Sequence, residues 1–322
     1  MKKSNGFGWL GSAGLTLALG IGLNAPACAA QLSTDARSAI PKDVQQLIAV
    51  DYRAMQNSPA AMDLKARILP PELKQLEEAL KSSGLNANHD VDQLAFASFR
   101  STGVQGTRIV GIAQGQFPVA DLRASWKKKN IRPTLIRTNR VYPMGASGMV
   151  VTFLDQTTMV FGSSDAVKAA LDSRDGLAPN LLTNNPILDS MQAVDTQPVW
   201  SVLDQQGTQF MMRSVLGQAA QVADYDTVRR RLLGSRYTMN FNNGVKFDLD
   251  LVTPDAFTAG TMASVLNAAA LYKKMSGTAS EKEAIDNTKI SSSASQVQVD
   301  FSASDSQFAS LLQSPLFQSV VK

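Results

Sequence analysis

His89 is the only histidine of the chain and is followed by Asp90. An imidazole oriented by a carboxylate is the arrangement from which general bases are made. Ser125-Trp126-Lys127-Lys128 has the S-x-x-K spacing of penicillin-interacting enzymes. These positions define a hydrolytic reading, in which a periplasmic hydrolase uses His89 or Ser125. The rest of each constellation is missing. No S-D-N or K-T-G accompanies Ser125, and no G-x-S-x-G occurs; Gly145-Ala-Ser-Gly148 resembles one only superficially and reads as a loop. Ser82 and Ser83, the serines nearest His89, end a helix rather than stand on a nucleophile elbow. Lys127 to Lys129 read as the solvated end of a helix, where positive charge suits the helix dipole. A single histidine also excludes two-histidine zinc sites.

Asn86, Asn88, Asp90 and Asp92 place side-chain oxygens at every second position, which on an extended segment puts them on one face and could hold calcium. A helix-loop-helix calcium loop counted from Asn86 needs Gly sixth and Glu twelfth, and those places hold Val91 and Ala97. The plainer reading is a polar turn, so no metal or other cofactor is expected. Arg229, Arg230 and Arg231 form the strongest basic cluster and are the candidate anion-binding residues. Their alternative is a solvated face with Asp224 and Asp226 as partners and Val228, Leu232 and Leu233 turned to the core. Apolar stripes holding Phe210, Met211, Met212 and Val215, then Met262, Val265, Leu266 and Leu271, suit either core packing or the wall of a lipid cavity.

The elements that must position these residues follow a repeated order. Leu47 to Asp51 reads as a buried strand after a polar lead from Gln31 to Pro41. A helical stretch from Ser58 to Ser83 is interrupted at Pro70-Pro71 and closed by Gly84. Strands Gln93 to Ser101 and Arg108 to Phe117 form a hairpin over Gly103 and Gly106. A helix from Pro118 to Asn130, strands Thr134 to Tyr142, Met149 to Asp155 and Thr157 to Phe161, and a helix from Ser164 to Leu171 complete the first half. Gly176 to Asn185 reads as a linker.

Val199 to Asp204 then reopens the series as a short apolar strand ending on Asp. A helical region spans Thr208 to Leu233. Strands Arg236 to Phe241 and Val245 to Thr253 turn over Asn242-Asn243-Gly244, whose Asn-Gly pair favours positive backbone angles. A helix from Pro254 to Met275, a flexible polar loop over 276–287, strands Lys289 to Ser293 and Gln296 to Ser302, and a helix from Asp305 to Leu312 follow. The order predicts an α+β fold of two similar halves, each an antiparallel sheet packed with helices, arising by internal duplication. The expected divisions are 1–30, 31–185 and 186–322.

Residues 1–30 read as a secretory signal peptide. Lys2 and Lys3 precede an uncharged stretch from Phe7 to Leu23 that is diluted by five glycines, and Ala25-Pro26-Ala27-Cys28-Ala29-Ala30 supplies small residues for cleavage after Ala30. The stretch is too short and too glycine-rich for a stable span of ~20 apolar residues. Lipidation at Cys28 is the alternative, but the Leu usual three positions before such a cysteine is absent. Removal of the leader takes the formal charge from +4 to +2 and leaves a chain without cysteine. Such a chain has no disulfide and no thiolate chemistry. Its near-balanced charge argues against nucleic acid or an anionic membrane as obligate partner. With 44% hydrophobic and 18% charged residues it folds around a core rather than staying disordered.

Phe161-Gly-Ser-Ser-Asp-Ala-Val-Lys-Ala-Ala170 and Gly84-Leu-Asn-Ala-Asn-His-Asp-Val-Asp92 resemble segments of uncharacterised exported bacterial proteins of unknown function. That resemblance implies export and supplies no activity or site residue. Three functional classes remain: an exported, non-catalytic binding or interaction protein, which is preferred; a carrier of an apolar ligand such as a lipid; and the hydrolase. The expected location is periplasmic or extracellular. The partner is then an envelope protein or a small apolar ligand, with no nucleic acid and no membrane span in the mature chain. A cavity between sheet and helices favours the carrier, whereas a serine within hydrogen-bond reach of a base favours the hydrolase.

Overall fold

The computed structural model describes residues 30–100, 107–145, 148–216, 229–314 and 317. Residues 1–29 of the expected leader, the loop holding Gly103 and Gly106, Ala146-Ser147, and Asp224, Asp226 and Val228 lie outside the described residues.

Among the described residues twelve strands form one antiparallel sheet: β1 (Val44–Asp51), β2 (Val91–Arg100), β3 (Thr107–Gly115), β4 (Thr134–Ile136), β5 (Asn139–Met144), β6 (Met149–Phe153), β7 (Thr158–Ser163), β8 (Val199–Leu203), β9 (Gly234–Asn240), β10 (Val245–Val252), β11 (Thr288–Ser293) and β12 (Gln296–Ala303). Their spatial order is β11-β12-β10-β9-β8-β1-β2-β3-β7-β6-β5-β4. The fold is therefore α+β, and the two expected halves share a sheet through the β1–β8 pair, with Ala49 opposite Trp200 and Ile48 opposite Ser201.

The helices are α1 (Thr34–Ser38), α2 (Tyr52–Gln56), α3 (Pro59–Ile68), α4 (Pro71–Ser83), α5 (Ala87–Asp90), α6 (Val119–Lys128), α7 (Ser164–Arg174), α8 (Asn185–Gln192), α9 (Gln205–Leu216), α10 (Ala256–Ser276), α11 (Ala279–Asp286) and α12 (Asp305–Leu312). Because side chains alternate across a strand, β2 sends Ala95, Ala97 and Phe99 to one face and Leu94 and Phe96 to the other. The first set joins Leu47, Ala49, Ile112, Val160 and Trp200 in a core that includes residues of α1, α7 and α8. The second belongs to a core shared with α4 and α6. In the second half Leu249, Leu251 and Val297 pack with α9 and α10, while Lys246, Asp248, Gln298 and Asp300 on the alternate positions are exposed. The sheet is thus covered on both faces at one end and presents an open polar face at the other. No helix among the described residues is long and apolar enough to cross a membrane.

Three local expectations change. The single strand over Thr134 to Tyr142 is a hairpin, β4–β5, because Arg137 turns the chain with φ 56°. The polar lead contains α1, capped by Ser33 through its hydroxyl on the Ala36 N–H. The flexible loop over 276–287 contains α11, whose first turn is closed reciprocally: the Glu281 N–H reaches the Thr278 hydroxyl, and the Glu281 carboxylate accepts the Thr278 N–H.

Candidate ligand-binding cleft

α4 begins at Pro71, where the missing N–H costs nothing in the first turn. It ends at Gly84, whose φ of 110° lies in the left-handed region that closes helices. Between these stops, Leu73, Leu76 and Leu80 recur at helical spacing and form one stripe. Leu76 and Leu80 are buried against the sheet, but the stripe does not close onto it completely. A cleft of about 540 Å³ remains between α3, α4 and the strands, within the ~300–1,000 Å³ common for small-molecule sites.

Its floor is built by Phe96, Ala113, Met159 and Phe161. Gly111 pairs with both phenylalanine positions, opposite Phe96 on β2 and Phe161 on β7. A Cβ at Gly111 would lie 2.2 Å from the Phe161 ring, so the glycine is what lets that ring fold down over the strand. The two rings meet edge to face at 5.9 Å, a favourable arrangement of aromatic quadrupoles.

A half-buried cation interrupts this apolar surface. Lys65, on α3, donates to the Tyr52 hydroxyl and to Glu77 Oε1, each at 2.9 Å. Its Nζ also lies 5.0 Å from the centre of the Tyr52 ring. Burial alone would depress the Lys65 ammonium, but its hydrogen bonds with Tyr52 and Glu77 outweigh this and hold its pKa above the ordinary lysine value. The group therefore stays charged at neutral pH. Only 17% of its side chain is exposed, against 41% for Glu77.

The positions singled out from sequence fall elsewhere or have local partners. His89 is largely exposed and pairs through Nδ1 with Asp90 Oδ1 at 2.9 Å. Among the described residues no hydroxyl is hydrogen-bonded to it. Ser125 lies half-buried on α6, and among the described residues its hydroxyl is hydrogen-bonded to no base. The oxygen-rich run is not extended, because residues 87–90 make the turn α5. Asn86 Oδ1 accepts the Asn88 N–H, Asp90 Oδ2 accepts the Asn86 N–H at 2.7 Å, and Asp92 pairs with Arg53. Among the described residues no cluster of three or more His, Cys, Asp or Glu side chains is placed to hold a metal ion. Asn86 and Asn88 instead line the cleft at its α4–α5 end.

Arg229, Arg230 and Arg231 lie together after α9, away from the cleft. Arg231 pairs with Asp255 at 3.3 Å, the Arg230 carbonyl accepts from Gln205, and Leu232 is fully buried while Leu233 is exposed. Met212, Met262, Val265 and Leu266 are packed core, and Phe210 and Leu271 face solvent. The apolar cleft is thus made by leucines of α4 and not by the methionine stripes. A second groove mixes charged and polar residues, Lys42, Arg100 and Asn184 among them, with apolar ones such as Val44, Ile187 and Leu203, and its Arg100 is paired with Asp204.

No protein-family model and no curated protein matches this chain. Among solved structures, crystal form I of TP0453 aligns over 88% of this chain and 96% of its own, with a TM-score of 0.50 and 11% sequence identity. Crystal form III of TP0453 aligns over 88% and 99%, with a TM-score of 0.47 and 11% identity. At 11% identity the likeness to form I is one of fold alone.

Proposed function

We propose that this chain is an exported, non-catalytic binding protein whose ligand is an apolar small molecule held in the cleft under α4. The observation that carries the reading is the cleft itself, an apolar volume of about 540 Å³ left open between sheet and helices. The cleft opens to solvent, so its apolar walls stand in contact with water, and an apolar ligand that enters removes that surface from water. The resemblance to uncharacterised exported bacterial proteins fits the same reading. So does the strand order, which runs outward from the centre as β1-β2-β3-β7-β6 on one side and β8-β9-β10-β12-β11 on the other. That symmetry supports an internal duplication, with the apolar cleft lying in the first copy.

The mature protein should bind N-phenyl-1-naphthylamine, a neutral fluorophore that brightens in apolar surroundings. Leu73→Trp, which places an indole in the cleft, should abolish the signal, and Leu271→Trp on the exposed side of α10 should not. A Leu73→Trp protein that binds the fluorophore as wild type does would remove the cleft from consideration.

Export makes a second expectation. Ala30 is fully buried; its N–H donates to the Gln197 carbonyl at 3.3 Å, and its carbonyl accepts the Trp200 indole N–H at 2.9 Å. Cleavage after Ala30 removes this acceptor and leaves a buried donor unpaired, at a cost of about 1–3 kcal/mol. Ala27 and Ala29 are equally suited to the third and first positions before a cut, and that cut preserves Ala30. The intact mass of the exported protein should therefore correspond to a chain beginning at Ala30. A mass beginning at Gln31 decides for the other register, and a retained leader rules out the cleavage argument.

A further inference from the structure

We propose that the ligand of the cleft is a single-chain amphiphile with an anionic head, the head seated at Lys65 and the chain lying along the leucines of α4. This rests on the reading of the cleft as an apolar-ligand site and adds the charge and position of the head. The charged side chains that line the cleft are Lys65, Glu77 and Lys81, which leaves one positive charge in excess. An anion neutralises that excess, whereas a cation adds to it.

Lys65 is suited to hold the head. An ammonium has three donors, and the described residues occupy two of them, with Tyr52 and Glu77. The remaining N–H belongs to a half-buried group beside an apolar volume, where a charge-assisted hydrogen bond is less screened than in open water. The hydroxyl of Tyr52 already accepts from Lys65, so its own hydrogen is free to be donated to the same head. Glu77 need not be expelled from the protein when an acid arrives. It lies four residues before Lys81 on α4, the favourable order for a pair on one helix face, and its partly exposed side chain can turn to that partner. The apolar chain then has Leu73, Leu76, Phe96 and Phe161 beneath it.

The test displaces N-phenyl-1-naphthylamine from the mature chain with four twelve-carbon compounds below their micellar concentrations: dodecanoate, dodecyl phosphate, dodecanol and dodecyltrimethylammonium. The acids should displace the fluorophore at about tenfold lower concentration than dodecanol, the ratio expected of one charge-assisted bond. The cation should be the weakest. Lys65→Met should remove most of that acid preference and leave dodecanol unchanged, while Lys65→Arg should keep it. Glu77→Gln, which removes the competing carboxylate, should strengthen both acids. Carboxylate and phosphate arms separate a fatty-acid ligand from a phosphate-headed lipid. Equal displacement by acid and alcohol, preference for the cation, or an acid preference untouched in Lys65→Met each overturns the proposal while the apolar cleft stands. Failure of wild type to bind the neutral fluorophore overturns both. Because Lys65→Met can disturb the α3–α4 contact, unchanged dodecanol binding serves as the check that its cleft is intact.

Discussion

Replacing Trp200 by alanine should lower the stability to unfolding by about 3–5 kcal/mol, the usual cost of a cavity left by a buried tryptophan. That is a large part of the roughly 5–15 kcal/mol that holds a domain together. Trp200 is fully buried on β8, opposite Ala49 of β1, at the seam where the two halves become one sheet. Its indole N–H is paired with the Ala30 carbonyl. Trp126→Ala should cost a similar amount, because the ring is fully buried and packs 4.4 Å from Tyr142 and 5.9 Å from Phe153. The two tryptophans differ in their polar atom, since Trp126 Nε1 is buried and has no hydrogen-bond partner among the described residues. Phenylalanine should therefore be tolerated better at 126 than at 200, where it strands a buried carbonyl. By contrast His89→Ala and Ser125→Ala should stay within about 0.5 kcal/mol of wild type, as most surface changes do. Urea denaturation of the six variants checks the ranking. If Trp200→Phe proves milder than Trp126→Phe, the indole–Ala30 bond does not contribute to stability.

The parts of the fold that were legible in sequence are those fixed by neighbours along the chain. Pro71 and Gly84 bracket a leucine stripe at helical spacing, so α4 could be read to within a residue. Asn243 and Gly244, with φ 58° and 99°, turn the β9–β10 hairpin as an Asn-Gly pair should. α11 was missed although Thr278-Ala-Ser-Glu281 is a capping-box signature, because the helix buries little apolar surface and its composition resembles a loop. The shared sheet was not legible at all. β1 and β8 pair across some 150 residues of chain, and no local pattern specifies which edge meets which.

The cleft divides in the same way. The stretch from Ser58 to Ser83 reads as helical with a break at Pro70-Pro71, but the meeting of Lys65 with Tyr52 and Glu77 depends on how α3 and α4 cross after the extended residue Leu69. A lysine among leucines reads as a solvated tip until that crossing is known. The candidates chosen from sequence were residue types associated with chemistry, His89 and the Asn-Asp run above all. Their side chains are occupied in shaping the α4–α5–β2 connection at one end of the cleft.

That connection leads to the second large effect, since Gly115→Ala should destabilise the protein by at least about 1–3 kcal/mol, the range for overpacking a filled interior. Gly115 ends β3 opposite Val91, next to the bulge that shifts the β2–β3 register between Val91 and Gln93. A Cβ built on it would fall 1.9 Å from the carbonyl oxygen of Asp90. The obstacle is backbone, so no rotamer change relieves it. The carbonyl cannot retreat freely either, because it accepts the Gln116 N–H at 2.9 Å, while the Asp90 carboxylate holds the Asn86 N–H and His89. Moving Asp90 therefore moves α5 and the Asn86–Asn88 rim of the cleft, and the same substitution should weaken fluorophore binding. Gly260→Ala is the matched control. It sits within α10 with nothing within 4 Å of the added Cβ, so alanine should stabilise by about 0.4–1 kcal/mol through the lower entropy of the unfolded chain. Opposite signs for the two variants in parallel thermal melts are the expected result, and a Gly115→Ala protein as stable as wild type would show that the α5 turn and β3 are less closely apposed than described.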